Sequence, residues 1–173
     1  DGDMLPCLLR GQIFSSPGVV YRRSALEKHR WNEDSILEDY ELYLKLSTEG
    51  EFARNTNIIG GWRQHVSNVS GDISKMLAEW IAAQDLVAEK LPVSRTELDR
   101  IQTELRFEMV ASVVRSGNKR EAIRLLRENI GGARSTLQIL KMLARLAVPK
   151  TLFEMNRDRK RRNAIAAYGK MTI

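Results

Sequence analysis

The sequence predicts a helix-rich α+β protein, with a mixed segment over residues 1–72 and a helical segment over residues 73–173. Short stretches with the pattern of extended chain, interrupted by turn residues, occur only in the first segment. After Asp72 the apolar residues recur at the spacing of an α-helix. The charge also changes sign: residues 1–72 hold 8 Lys and Arg against 11 Asp and Glu, a net of −3, whereas residues 73–173 hold 20 against 11, a net of +9. A basic segment favours phosphate-rich partners, such as nucleic acid or anionic lipid.

Composition excludes several classes of protein. One cysteine excludes an internal disulfide, and two histidines leave little room for a histidine-built metal site. Cys7, flanked by Pro6 and two leucines, is predicted to pack in the core. No apolar run reaches the roughly 20 residues that span a bilayer. We therefore expect a cytoplasmic protein, free or peripheral at the inner face of the membrane.

The first segment predicts short strands and short helices. Residues 13–21 predict an extended run interrupted by Pro-Gly, which suits an edge strand or a bend. Residues 22–29 predict a helix, and residues 52–65 predict two strands around a Gly-Gly break. Ser35 and Glu38 have the spacing of a capping box, which opens a second helix. Its apolar stripe holds Ile36, Leu37, Tyr40, Tyr43 and Leu44.

The second segment predicts a series of capped helices. Asp72 can cap a helix that ends before Pro92, and Ser94 opens another over residues 94–115. Asn118 opens a third, for which Gly131 is a suitable C-terminal stop.

Residues 135–148 predict a last helix with a narrow polar stripe and an unusually wide apolar face, followed by a basic tail over residues 157–162. This face could enter a membrane interface while the tail meets anionic lipids, or it could dock on the other helices.

The acidic pair Glu38 and Asp39 is the first candidate for chemistry. Asp39 borders the apolar stripe of its helix, where a carboxylate could meet a cleft and accept a proton from a substrate hydroxyl. Most acids at a helix start are only solvated, and Glu38 is well explained as a helix cap. Both interpretations stay open from the residues alone.

The run Trp62-Arg63-Gln64-His65 is the second candidate. If it is extended, the period of two puts Arg63 and His65 on one face. Together they could grip a diphosphate, or His65 could ligate a metal ion that bridges one. The alternative is an arginine in a surface ion pair and a half-buried histidine at a strand end.

Three ordered stretches resemble a known family: SSPGVVYRRSALEK, RWNEDSILEDYELYLKLSTEGEFA and GGWRQHVSNVS. Over roughly residues 8–72 they resemble the C-terminal half of a family-2 glycosyltransferase catalytic domain. Such enzymes are inverting, have the GT-A fold, use nucleotide-diphosphate sugars and build cell-surface polysaccharides. The resemblance implies an acceptor-side part of that domain over residues 1–72 and a helical extension over residues 73–173.

The resemblance also implies roles for single residues. Asp39 matches the general base and Glu38 the glutamate paired with it, while Arg63, Trp31 and Trp62 match substrate-binding positions. His65 matches a ligand of a divalent cation, Mg or Mn. The implied partners are a nucleotide-diphosphate sugar donor and a sugar or lipid-linked acceptor. Because the nucleotide-binding half has no counterpart here, we expect this chain to be a piece that transfers no sugar alone.

A rival hypothesis is a non-enzymatic basic helical module that binds nucleic acid through residues 95–162 or an anionic membrane through residues 135–162. Against nucleic acid, acids interrupt the basic residues along most helices and no aromatic stacking platform accompanies them. We therefore expect no nucleic-acid partner.

Overall fold

The computed structural model describes residues 2–11, 16–55, 57 and 72–169, excluding the side chain of Tyr168, and these residues are mostly helical. Within these residues, three short 3₁₀ turns separate some of the α-helices: Ser16–Gly18, Ala88–Lys90 and Ile130–Gly132. The α-helices in chain order are α1 (Leu5–Leu9), α2 (Arg23–Lys28), α3 (Glu38–Ser47), α4 (Ile73–Val87), α5 (Arg95–Ser116), α6 (Lys119–Glu128), α7 (Thr136–Ala147) and α8 (Lys150–Tyr168).

The prediction of an α+β fold is wrong. Within the described residues, β-pairing consists of one antiparallel bridge between Gly2 and Phe52. Of the run over 13–21, for which an edge strand or a bend is predicted, residues 16–21 form a 3₁₀ turn at Ser16–Gly18 and then irregular chain, while residues 13–15 lie outside the described residues. In the run over 52–65, residues 56 and 58–65 also lie outside them. Proline lacks the donor that a strand ladder needs, and a short apolar run cannot specify a distant partner in register.

The predicted starts of four helices are confirmed by side-chain caps. Asp72 accepts a hydrogen bond from the Lys75 N–H at 3.0 Å. Serine and asparagine side chains cap the starts of α5, α6 and α7 in the same way. Each accepts a hydrogen bond from the backbone N–H three residues further along the chain, at 3.2–3.4 Å. These caps work because each oxygen satisfies an N–H that has no partner inside the helix.

Two apolar clusters hold the helices together, and α4 and α5 contribute to both. The first joins α1 and α3 to α4 and to the start of α5. The second joins α4 and α5 to α6 and α7. The largest side chains that are almost fully buried in these clusters are Tyr40, Tyr43 and Phe107, with Leu8, Leu9, Leu44, Leu98, Val110 and Val113 around them.

Two glycines, Gly117 and Gly132, shape the helical segment, whereas the sequence indicated Gly131. α6 ends at Glu128, before Gly131, so the predicted stop at Gly131 is wrong. Gly117 ends α5 with φ +94°, a conformation that favours glycine. Gly132 lies against α5, where a Cβ atom would come within 2.4 Å of the Thr103 carbonyl oxygen. Only glycine permits this approach.

Two further expectations are corrected at the surface. Cys7 is exposed on α1, because Leu5, Leu8 and Leu9 occupy the buried face of that helix. The predicted last helix, α7, is followed by α8, which contains the supposed basic tail. From Met155 to Ala167 each side chain of α8 is exposed. None of the described helices combines the length and the apolar content needed to cross a bilayer.

Candidate functional site

Asp39 and Glu38 occupy the first turn of α3, and both side chains are half-buried. The Asp39 Oδ1 atom accepts a hydrogen bond from the Tyr40 N–H at 2.7 Å. A carboxylate is favoured there because the N–H groups of a first helical turn lack partners inside the helix. The first turn of α3 thus holds two negative charges partly shielded from water.

The predicted capping box at Ser35 and Glu38 is wrong. α3 begins at Glu38, and its N-cap residue, Leu37, makes no side-chain capping bond. The Ser35 hydroxyl instead accepts the Leu37 N–H at 3.1 Å and donates to the Glu79 carboxylate of α4 at 2.9 Å. Ser35 therefore closes a turn and ties the loop before α3 to α4.

Three aromatic side chains gather beside this acidic turn. The Tyr21 and Trp31 rings meet edge to face, with centroids 5.6 Å apart and an interplanar angle of 82°. The Tyr21 ring stacks on Tyr43 of α3, with centroids 6.4 Å apart. Trp31 is the outermost of the three and keeps 38% of its surface exposed. A partly exposed indole therefore lies against a pair of more buried tyrosines, and we call this region the Trp31–Asp39 surface (Tyr21, Trp31, Glu38, Asp39 and Tyr43).

The acidic turn and the two tyrosines are linked by spacing and by electrostatics: Asp39 and Tyr43 are four residues apart on α3 and so lie on one side of that helix. Burial is the main cause that raises the pKa of Tyr21 above its usual value, and an interaction with the Tyr43 hydroxyl offsets part of the rise. The negative charges of Asp39 and Glu38 raise the pKa further. Burial likewise raises the pKa of Tyr43, with the same two carboxylates contributing. Carboxylates and aromatic rings therefore share one small region.

The loop that carries Trp31 is fastened to α3 by a buried carboxylate. Glu41 is only 3% exposed, and its Oε2 atom accepts a hydrogen bond from the Asn32 side-chain amide at 2.7 Å. Its Oε1 atom pairs with Lys45 at 2.5 Å. At the other end of the loop, His29 Nε2 lies 2.8 Å from a Glu49 carboxylate oxygen. Contacts on both sides of Trp31 therefore fix its position.

A buried network of hydrogen bonds joins α3 to α1 and α4. The Tyr40 hydroxyl donates to the Leu8 carbonyl oxygen of α1 at 2.9 Å. The Gln84 side-chain amide of α4 donates to the Leu9 carbonyl oxygen and to the Tyr40 hydroxyl, each at 2.9 Å. Because buried polar groups are costly to leave unpaired, this network specifies how α1, α3 and α4 fit together.

The second group of predicted site residues is not described. Trp62, Arg63 and His65 lie outside the described residues, so the predicted substrate and metal roles of this run stay predictions. Among the residues that the structure describes, no three His, Cys, Asp or Glu side chains are grouped so that they could hold a metal ion. The Trp31–Asp39 surface is built from aromatic and carboxylate groups.

A second surface of different chemistry lies on α7 and α8. α7 packs with Ile139, Met142 and Leu146 against the second cluster, which leaves its other apolar side exposed. The exposed side contains Leu137, Leu140 and Leu143. α8 adds exposed Leu152 and Met155, followed by five exposed cations at Arg157, Arg159, Lys160, Arg161 and Arg162. We call this the α7–α8 surface.

A third surface feature is an open groove of about 440 Å³ between α4, α5 and α6. Its floor includes Leu77 and Ile81, and charged side chains stand along its rim. Arg124 pairs there with Glu121 and Glu128 on its own helix, at 2.5 and 3.0 Å. The charges that α6 contributes to the rim therefore satisfy one another, which distinguishes the groove from the other two surfaces.

No protein-family model, curated protein or solved structure matches this chain. The resemblance to family-2 glycosyltransferases is therefore wrong as an assignment of family and fold. The ordered stretches that suggested it form helices, turns and a single bridge wherever they are described, in place of the strands of a GT-A domain. Short motifs in a matching order were too weak a signal to define a fold.

Sequence reasoning placed Asp39, Glu38 and Trp31 in a site and missed Tyr21. Tyr21 was assigned to a strand, and nothing in its local pattern shows that its ring contacts residues 10 and 22 positions further along the chain. The usable signal was the high aromatic content near α3, with Tyr21, Trp31, Tyr40 and Tyr43 in a chain that is only 6% aromatic.

Proposed function

We propose that the Trp31–Asp39 surface binds the acceptor of a sugar-transfer reaction and that Asp39 is the base. As the acceptor oxygen attacks the anomeric carbon of a nucleoside-diphosphate sugar, the bond from that carbon to the diphosphate oxygen breaks. The nucleoside diphosphate leaves with the electron pair, and the Asp39 carboxylate takes the proton of the acceptor hydroxyl. The reaction inverts the configuration at the anomeric carbon.

The observation that supports this proposal is the shared position of the indole and the carboxylates. Asp39 and Glu38 act on the Tyr21 hydroxyl, and the Tyr21 ring contacts the partly exposed Trp31. Ligand sites combine aromatic surface with a few positioned polar groups, and carboxylate pairs transfer protons at the glycosidic bond in glycoside hydrolases.

The proposal gives this chain the acceptor side of the reaction. The donor, and a divalent cation (Mg or Mn) that would neutralise its diphosphate, would be bound elsewhere, with Arg63, Trp62 and His65 still predicted to contribute. We expect the 173-residue chain to bind acceptor but to transfer no sugar by itself.

Acceptor binding is tested by titrating the chain with hexoses, N-acetylhexosamines and short oligosaccharides of each, using saturation-transfer NMR and calorimetry. We expect at least one of them to bind, with Trp31→Ala weakening the affinity about tenfold or more, as for other aromatic anchors. Trp31→Phe keeps a ring in place and should retain most of the affinity. Absence of binding by the whole panel, or unchanged binding by Trp31→Ala, would contradict the proposal.

The base is tested with Asp39→Asn, which keeps an oxygen for the Tyr40 N–H and removes the charge. We expect the variant to fold, to bind acceptor with only a small loss and to abolish transfer once the donor-binding part is supplied. Asp34→Asn removes the same charge from an exposed loop position and serves as the control. Equal transfer rates for the two variants would exclude Asp39 as the base.

A second candidate function is a basic helical module that attaches to nucleic acid or to an anionic membrane surface at the inner face of the membrane. The exposed cations of α8 favour it. Nucleic-acid binding predicts a steep loss of affinity for duplex or single-stranded DNA as salt rises. Tight, salt-dependent DNA binding by this chain would revive the nucleic-acid form of the hypothesis.

A further inference from the structure

We infer that the α7–α8 surface docks on an anionic lipid bilayer, with leucines of α7 entering the interface and cations of α8 binding the headgroups. This inference deepens the membrane form of the second candidate function and rests on it. It is independent of the sugar-transfer proposal, because it uses different residues on different helices. It rests on three features of the described residues: the exposed apolar side of α7, the unpaired cations of α8 and the near absence of acids between them.

The first feature is that α7 has two apolar sides. Ile139, Met142 and Leu146 pack against the second cluster. Leu137, Leu140 and Ala144 recur at the helical spacing on a different side, and with Leu143 they face solvent. The three leucines are 49–58% exposed. The core therefore uses only part of the wide apolar face, and the rest is available to another apolar medium.

The second feature is the state of the α8 cations. Lys150 pairs with Glu154 at 3.6 Å, at the start of the helix. The five cations from Arg157 to Arg162 make no ion pair with any described residue, and Arg159 donates only to the Asn156 side chain. A helix that leaves five cations unpaired and projects them into water is suited to a surface with many negative charges.

The third feature is the charge of the whole region, which decides between possible occupants. Residues 129–169 contain nine Lys and Arg but only two acids, Glu154 and Asp158. A second copy of this chain docked through the same surface would bring these positive charges together, which disfavours symmetric self-association. DNA or RNA would neutralise the cations but leave the exposed leucines in water. Phe153 is the aromatic ring described in this region, and it packs partly against the core, so no stacking platform is available.

An anionic bilayer satisfies both parts of the surface. Its interface accepts leucine side chains, and its phosphatidylserine headgroups attract Lys and Arg within about a Debye length. α8 is 19 residues long, roughly 28 Å, and its charges require it to lie along the surface.

Vesicle co-sedimentation tests the inference, comparing phosphatidylcholine vesicles with and without phosphatidylserine. We expect binding only to the anionic vesicles, reduced about tenfold or more at about 0.5 M salt. Replacing the five cations Arg157, Arg159, Lys160, Arg161 and Arg162 by glutamine should abolish it. The matched control replaces five exposed arginines elsewhere by glutamine and should reduce binding far less: Arg22, Arg30, Arg115, Arg120 and Arg127.

The leucines are tested by a second pair of variants. The triple change Leu137→Gln, Leu140→Gln and Leu143→Gln should reduce vesicle binding about tenfold or more while circular dichroism stays unchanged. Leu86, Ile123 and Ile130 have similar exposure, 47–62%, on other parts of the surface. Changing those three to glutamine is the matched control, and we expect it to leave binding intact.

Insertion is measured directly with an environment-sensitive fluorophore. In a Cys7→Ser background, Leu140→Cys carrying an NBD group should shift its emission to the blue on anionic vesicles, whereas Ile123→Cys with the same label should not. Failure of the unmodified chain to bind anionic vesicles overturns the inference. So does binding that the leucine triple variant retains in full, or a preference for duplex DNA over vesicles at equal salt.

Discussion

The Trp31–Asp39 surface and the α7–α8 surface differ in how each is held in place. In the first, Glu41 and the Tyr40–Gln84 network fix the loop and the helix that present Trp31 and Asp39. In the second, the leucines project from α7, whose opposite side packs against the second cluster, and the cations project from a stretch of α8, Met155 to Ala167, in which every side chain is exposed. The first surface is preorganised, as a small ligand requires, whereas the second is suited to a large, deformable partner.

The strongest test of this comparison removes one large apolar side chain from each surface. Tyr43 is fully buried under the Trp31–Asp39 surface, so Tyr43→Ala should lower the free energy of unfolding by about 3–5 kcal/mol. Leu140 is exposed on α7, so Leu140→Ala should change it by no more than about 0.5 kcal/mol. Urea unfolding followed by circular dichroism measures both. Similar losses for the two variants would show that α7 packs against more of the protein than the structure indicates.

A test of intermediate size concerns the buried Glu41. Lys45→Met leaves the Glu41 carboxylate buried with only Asn32 as a partner, and we expect it to lower the free energy of unfolding by about 2–3 kcal/mol. Replacing Glu41 and Lys45 together by leucine removes both charges and should cost less. If the double variant is the less stable one in urea, the pair itself stabilises the loop of Trp31, and our account of an uncompensated charge is wrong.

The smallest effect is expected from acid. The pKa of Glu49 is lowered chiefly by His29, that of Glu97 by Arg100 and that of Glu121 by Arg124. Since these pKa values lie below the ordinary 4.5, the stabilisation is present above pH 4.5 and is lost as pH falls through the lowered values. Each of the variants Glu97→Gln, Glu121→Gln and Glu49→Gln should flatten the acid side of the profile of unfolding free energy against pH. A profile that stays equally steep in all three variants would contradict this.

Much of the helical segment was predictable because its signals are local. Asp72, Ser94, Asn118 and Ser135 each accept a backbone N–H only three residues onward, so the sequence itself holds both partners of each cap. The narrow polar stripe of α7 is also a local signal. It indicated a wide apolar face, and only part of that face packs against the core. α8 was missed because its apolar residues have no helical period and its charges are typical of a solvated tail.

The first segment was harder because its contacts are not local. A strand needs a partner strand in register, which a short stretch of sequence does not show. The cap assigned to Ser35 was wrong because its hydroxyl donates a hydrogen bond to Glu79, 44 residues away. The candidate site was partly foreseen: Asp39 was placed at the edge of an apolar stripe, and it is half-buried there. Its aromatic base was not foreseen, since Tyr21 reaches it only through the chain fold.

The sequence by itself determined where most helices of the second segment begin, the opposite charges of the two segments and the excess apolar surface of α7. These follow from hydrogen bonds and side-chain periods that span a few residues. Only the tertiary structure decided that Tyr21, Trp31 and Tyr43 meet beside Asp39, and that Gln84 bonds the Leu9 carbonyl 75 residues away. The physical reason is that close packing of distant segments depends on the shape of the whole core, which no short stretch of sequence encodes.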